Sequence, residues 1–151
     1  RVPFKIDPDA DKREEQKDVS EKSIKGLHIL LAEDNELNME IAEFVIQNGG
    51  ADVTKAWNGK EAVELFRKSE PGGFDAILMD IMMPVMNGYE AAKMIRSLDR
   101  EDAKTIPIIA MTANAFTEDR LKAKEAGMNE HIVKPVDVEL LIKVIHKLVE
   151  Y

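Results

Sequence analysis

The run Ala76-Ile77-Leu78-Met79-Asp80 reads as a buried apolar strand that stops at a single carboxylate. An ionised acid is rarely placed at the tip of such a segment without a partner. Three other runs that read as strands also end in polar groups. Leu27 to Ala32 stops at Glu33-Asp34, Ile106 to Met111 stops at Thr112, and Glu130 to Val133 stops at Lys134. Brought together, three carboxylates at ~5 Å repel by about 3 kcal/mol per pair at an effective dielectric near 20. Lys134 and a metal ion are the available cations. The acidic oxygens, with no Cys nearby and no pair of His28, His131 and His146 at ligand spacing, suit Mg²⁺, with Mn²⁺ as the alternative. A Mg²⁺ held by few protein ligands keeps water positions open for phosphate oxygens. Lys134 adds a point charge for the same phosphate, and Thr112 adds a hydroxyl donor. Asp80 is then the nucleophile for an aspartyl phosphate. Each residue alone has a plainer reading: Glu33-Asp34-Asn35 and Asp80 as helix caps, Thr112 as a loop hydroxyl, Lys134 as a solvated charge. Their coincidence at four strand ends favours a site.

The elements that must position these residues alternate along the chain. After the first strand, a helix is expected over Asn35 to Asn48, with Leu37, Ile41, Phe44 and Val45 on one face and Gly49-Gly50 as its stop. Ala51 to Ala56 reads as a strand and Asn58 to Ser69 as a helix burying Ala62, Val63 and Phe66. Phe74 to Met79 is the central strand. Asn87 to Leu98 reads as a helix, Asp99 to Lys104 as a charged loop, and Ile106 to Met111 as a strand with Pro107 near its start. Thr117 caps a thinly apolar helix (Leu121, Ala123, Ala126) that stops at Gly127. The last helix opens at Asp137 and carries the stripe Val138, Leu141, Ile142, Ile145, Leu148, Val149. Five strands alternating with five helices predict an α/β fold, a parallel sheet with right-handed crossovers and helices on both faces. In such sheets the ligand site lies at the carboxyl ends of the strands.

Composition narrows the classes. The chain has 151 residues, enough for one domain, with 44% apolar and 33% charged residues. A net charge of −8 disfavours nucleic acid and anionic membrane as partners. The absence of cysteine removes disulfides and thiolate zinc sites and agrees with a cytoplasmic setting. Neither a membrane span nor a signal peptide is apparent. Residues 1–26 read as an acidic, charged linker. Within it Val2, Phe4 and Ile6 alternate like the last strand of a preceding domain, with a plain tail as the alternative; 27–151 forms the domain.

Four stretches together carry a family resemblance: Leu31-Ala32-Glu33-Asp34-Asn35, Met79-Asp80-Ile81-Met82-Met83-Pro84-Val85-Met86-Asn87-Gly88, Met111-Thr112-Ala113-Asn114-Ala115 and Val133-Lys134-Pro135. In this order and at these separations the chain closely resembles the receiver domain of two-component response regulators, from about Leu27 to Val149. The resemblance implies a flavodoxin-like sheet of order 2-1-3-4-5 (the order for which a member of this family is a standard example). It implies that Asp80 accepts phosphate from a phosphohistidine, and that the domain catalyses its own phosphorylation and dephosphorylation. Asp34, Asp80 and the Met82 carbonyl would ligate Mg²⁺, with Glu33 acting partly through water. Lys134 would pair with the phosphoryl group and Thr112 would close onto it, while the small Ala113 keeps it accessible. Met82 and Asn114 fall at positions that tune dephosphorylation, and the Lys134-Pro135 peptide is expected to be cis. His131 replaces the usual Tyr or Phe of the switch position.

The stretch Met111 to Phe116 is similar to receivers fused to hybrid sensor histidine kinases. Arg1 to Ile6 looks like the end of a kinase ATP-binding domain. The resemblance therefore implies the C-terminal part of a hybrid kinase, the cytoplasmic part of a membrane-anchored one included. A stand-alone response regulator and a degenerate receiver serving only protein interaction are the alternatives. The implied partners are a histidine kinase dimerisation domain or a histidine phosphotransfer protein, docking on the first helix through Glu36, Asn38, Glu40 and Glu43. A flavin carrier of the same topology would need small hydroxylated residues where Glu33-Asp34-Asn35-Glu36 stand. A hydrolase with an aspartyl intermediate would need an acid where Met82 stands.

Overall fold

The structure, a computed structural model, describes residues 24–113, 117–134 and 137–149. Most of the linker, Asn114 and Pro135 fall outside the described residues.

Five strands form one parallel sheet: β1 His28–Ala32, β2 Asp52–Ala56, β3 Ala76–Asp80, β4 Ile108–Thr112 and β5 Glu130–Val133. Their order is β2-β1-β3-β4-β5, and every neighbouring pair is parallel. The described helices are α1 Glu36–Asn48, α2 Gly59–Lys68, α3 Gly88–Ser97, the short α4 Glu101–Thr105, α5 Thr117–Glu125 and α6 Val138–Val149. The sheet order and both-face coverage match the flavodoxin-like expectation. The expected charged loop Asp99 to Lys104 instead contains α4. Arg100 stabilises that segment by bonding Asp102 at 2.8 and 2.7 Å while also donating to the Phe66 and Ser69 carbonyls at the end of α2.

Strand alternation divides the core into two layers. Leu30, Ile77, Met79, Ile108 and Ala110 face α2, α3, α4 and α5, where Phe66, Ala91, Ala92 and Ile95 are buried. Ile29, Leu31, Leu78, Ile109 and Met111 face α1 and α6. Ile24, inside the segment read as linker, is fully buried in this second layer.

The face expected for α1 is corrected. Met39, Ala42 and Ile46 point to the sheet, whereas Leu37, Ile41 and Phe44 are exposed. Both sets recur at spacings of three and four, so periodicity alone does not choose between them. The sheet selects the narrower set because α1 must pack closely over Ile29 and Leu31. Of the polar residues on α1, Glu36 and Glu40 are exposed, while Asn38 and Glu43 are partly covered. Leu121 on α5 is exposed as well, and among the described side chains there Ala123, with Ala126 just past the helix end, reaches the core.

Gly88 sets the approach of α3 to the sheet. A Cβ there would collide with the Asp80 carbonyl and lie 2.9 Å from Ile81 Cα. Gly88→Ala is expected to cost about 1–3 kcal/mol, the usual scale of overpacking, read as a lower urea midpoint with an unchanged slope. A midpoint equal to wild type would show that the close approach relaxes freely.

Candidate functional site

The register of the sheet assembles the site. Ala32 pairs with Met79, so Glu33 and Asp80 leave adjacent strands side by side. Asp80 pairs with Met111, which sets Thr112 one residue beyond. Thr112 pairs with Val133, and Lys134 follows at once. Four neighbouring strands thus deliver their terminal side chains to one edge.

Of the acids, Glu33 and Asp80 are buried and Asp34 is exposed. One carboxylate oxygen from each of the three lies within 4.8 Å of the other two. Lys134 Nζ sits 3.3 Å from Glu33 Oε1 and 3.3 Å from Asp80 Oδ1. The Asn35 amide donates to Glu33 Oε2 at 3.0 Å, and the Met82 amide donates to Asp80 Oδ1 at 3.4 Å. The Glu33 amide donates to the Ala56 carbonyl at 3.0 Å, which fixes the turn out of β1. Thr112 is buried, and its carbonyl accepts the Lys134 amide at 2.8 Å. Ala113 is exposed at the end of β4.

Two buried carboxylates share one ammonium, and the charge shows in their chemistry. Burial pushes the Asp80 carboxyl up to about 7, the Glu33 charge adds to the rise, and Lys134 opposes it. Burial works against the Lys134 ammonium, yet Asp80 and Glu33 outweigh it and hold its pKa above the ordinary lysine value. The donor set fits a hard divalent cation: three oxygen ligands converge, and negative charge exceeds positive.

The structure therefore brings Glu33, Asp34, Asp80 and Lys134 together, with the Met82 peptide at the rim and Thr112 one strand away. His131 stands apart. Its Nε2 accepts from Arg120 Nε at 3.0 Å, and its Nδ1 lies 3.7 Å from Glu130 Oε1. A hollow of about 400 Å³ between α5 and β5 is lined by His131, Arg120, Lys124 and Glu130. Arg120 carried no sequence signal, because its helix is charged throughout and only the fold sets it over His131. His28 bonds the Thr54 hydroxyl at 2.6 Å and packs against Phe74 at the opposite end of the sheet.

The response regulator receiver domain model matches residues 29–146. The chain is similar to "Hybrid signal transduction histidine kinase I" of Dictyostelium discoideum, 38% identical over 120 residues. That stretch covers 78% of this chain and 7% of the relative's length. It is similar to the receiver domain of a sensor histidine kinase from Pseudomonas aeruginosa, with 36% identity and a TM-score of 0.75, covering 83% of this chain and 99% of that one. The Pseudomonas structure holds a magnesium ion coordinated in its active site cleft. The receiver domain of Saccharomyces cerevisiae Ssk1, crystallised with the histidine phosphotransfer protein Ypd1, gives 30% identity and a TM-score of 0.74, covering 83% of this chain and 90% of the matched chain.

The raised Asp80 carboxyl has a consequence for stability. Its folded value of about 7 lies above the ordinary aspartate value of 3.8. Protonation therefore favours the fold, fully below pH ~4, and the contribution is lost as pH rises through 7. Between pH 5 and pH 8 this group alone removes about 3 kcal/mol without metal. Asp80→Asn cannot ionise, so its melting temperature in EDTA should exceed wild type at pH 8 by several degrees, with the gap narrowing toward pH 5. Parallel pH profiles for the two proteins would refute the raised carboxyl.

Proposed function

This chain belongs to the response regulator receiver domain family, and on that premise we propose that it takes a phosphoryl group from a phosphohistidine onto Asp80, with Mg²⁺ bound beside it. The convergence of the Glu33, Asp34 and Asp80 oxygens around the Lys134 ammonium carries this reading. An Asp80 oxygen attacks phosphorus, the phosphorus–nitrogen bond of the donor breaks, and its electron pair stays on the imidazole nitrogen, which takes up a proton from water. Lys134 neutralises a phosphoryl oxygen and Thr112 donates its hydroxyl to another. Ala113, small and exposed, leaves the approach open. Asp34, Asp80 and the Met82 carbonyl would hold the ion, and Glu33 would act partly through water. When bound, Mg²⁺ supplies the positive charge that Lys134 alone does not.

The donor is a histidine phosphotransfer protein or a histidine kinase dimerisation domain. The Ypd1 complex of the similar yeast receiver supports the first. On this chain α1 offers the docking face: Leu37, Ile41 and Phe44 form an exposed apolar stripe beside Glu36 and Glu40. The similar hybrid kinases support a place within such a kinase, and the position we assign is its C-terminal part, on the cytoplasmic side. In that arrangement residues 1–26 link the receiver, 27–151, to a kinase core. Among the described residues no helix is long and apolar enough to cross a membrane. Phosphorylation replaces the single charge of the Asp80 carboxylate with about two on the acyl phosphate, a net gain of about one. The part poised to respond is α5, which reaches the core through Ala123, with Ala126 just past its end.

Incubation with phosphoramidate and Mg²⁺ should place one hydroxylamine-sensitive phosphate on each chain. EDTA and Asp80→Asn should abolish it, and Lys134→Met should slow it by about tenfold or more, the scale of losing one preorganised charge. Undiminished labelling of Asp80→Asn would remove the acceptor assignment.

A further inference from the structure

The first described residues, Ile24, Lys25 and Gly26, lead into β1. Ile24 is fully buried in the layer that holds α1, whereas Lys25 and Gly26 are exposed. The Leu27 amide donates to the Ile24 carbonyl at 3.1 Å, turning the backbone sharply just before β1. The Gly26 amide donates at 3.1 Å to the Gly50 carbonyl, just past the end of α1. The incoming chain and the exit from α1 are therefore bonded to each other outside the sheet.

Glycine makes the room for this contact. Ile24 Cδ1 stands where a Cβ on Gly49 would be, and Ile24 Cγ1 lies 2.8 Å from that point. Gly49 closes α1 with a φ of −81° and a ψ of −2°, ordinary helical values that any residue adopts. Its backbone therefore does not ask for glycine, and alanine there would ordinarily gain in helix propensity. Among the described residues, what fills its missing Cβ position is the side chain of Ile24.

The helix has reason to need the contact. Its fully buried side chains are Met39, Ala42 and Ile46, while Leu37, Ile41 and Phe44 face solvent. Its last turn carries no basic side chain to favour the terminal carbonyls. Ile24 adds a further apolar side chain to the same core layer at that end. We propose that Ile24 is a strap through which the chain arriving from the N-terminal side controls α1. With Ile24 seated, the C-terminal turns of α1 are held on the sheet. With Ile24 withdrawn, they loosen while the acidic pocket at the opposite edge of the sheet stays assembled. A pull on the incoming chain would then act first on the helix assigned above to the phosphodonor. That last consequence rests on the docking reading; the strap does not.

Native-state hydrogen exchange on the full chain tests the strap, with Ile24→Val, Ile24→Ala and Gly49→Ala. In wild type the amides of Val45 to Gly49 should open with a shallower urea dependence than those of β3 and β4, the mark of a local unit. Those α1 amides should exchange about tenfold faster or more in Ile24→Ala, and roughly threefold faster in Ile24→Val, on the scale of the buried groups removed. Gly49→Ala should resemble Ile24→Ala, because its Cβ displaces the isoleucine. Adding Ile24→Ala to Gly49→Ala should then change exchange by less than about twofold, since the two substitutions act on one contact. Exchange in Gly49→Ala equal to or slower than wild type, as helix propensity alone predicts, would overturn the proposal. So would multiplicative effects in the double variant, or α1 amides that share the rate and urea dependence of β3 and β4. Phosphoramidate labelling should stay within about twofold of wild type in every variant, as for a site the substitutions do not touch; a loss in step with the exchange would refute an intact pocket. A wild-type chain that takes no label sinks the acceptor reading, and the exchange data still decide the strap.

Discussion

Two carboxylates, Glu33 and Asp80, are buried next to each other and share a single ammonium, Lys134. The rest of the fold has to accommodate that arrangement. Burying a charge pair is costly even when it is balanced, and this cluster is one positive charge short before Asp34 is counted. The sheet makes no local concession to it. Residues just below the site, Ala32, Met79 and Met111, are fully buried and apolar. Burial, and then the neighbouring Glu33 charge, raise the Asp80 carboxyl well above the usual carboxylate range, with Lys134 opposing them. A proton or a divalent cation can relieve the excess negative charge. The site is therefore held in a state that binding improves, and the two layers packed against the sheet supply the stability that permits it.

The stability is unevenly placed. On one side α2 and α3 bury Phe66, Ala91, Ala92 and Ile95, and on the other α6 buries Leu141, Val144 and Ile145. By contrast, α5 contributes Ala123, with Ala126 just past its end, and leaves Leu121 outside. Its far end is nonetheless fixed. Arg96 on α3 donates twice to the Gly127 carbonyl, at 2.9 and 2.7 Å, and also to Ala103 and Asn129. Asn129 in turn accepts the Ile108 amide at the start of β4. This guanidinium is partly desolvated, which lowers its pKa, and it is satisfied by carbonyl oxygens at a helix C-terminus, where the backbone dipole favours a cation. So the segment that follows α5 is tied to α3 and to the start of β4.

Much of this was legible in the sequence because the signals were of two robust kinds. Apolar runs ending in polar residues marked the strands and their order of use, and Glu33, Asp34, Asp80, Thr112 and Lys134 could be placed at one edge from topology alone. What escaped reading depends on choices made only in three dimensions. On α1, two apolar sets have equal helical spacing, and only the packing of the helix over Ile29 and Leu31 decides that Met39, Ala42 and Ile46 are buried. The short α4 escaped because a single turn carries no periodicity; Arg100 creates it by bonding across to α2. The turn at Val85 is invisible for a related reason. Valine predicts extended backbone, yet Val85 takes a φ of 69° in a loop that Gly59 and Gly88 approach closely.

His131 shows how one residue outside the acidic pocket alters what the fold can do. An aromatic ring on β5 could rotate between buried and exposed positions without breaking a hydrogen bond. The imidazole here cannot. Arg120 is always charged and can only donate, so His131 Nε2 must be the acceptor. The ring proton then sits on Nδ1, on the side of Glu130, which itself lies 3.5 Å from Lys147 on α6. Turning the ring inward breaks a charge-assisted bond to α5 and uncovers Arg120 at the mouth of the hollow it lines. In this chain the position on β5 is therefore joined to α5 by a directional bond in addition to packing.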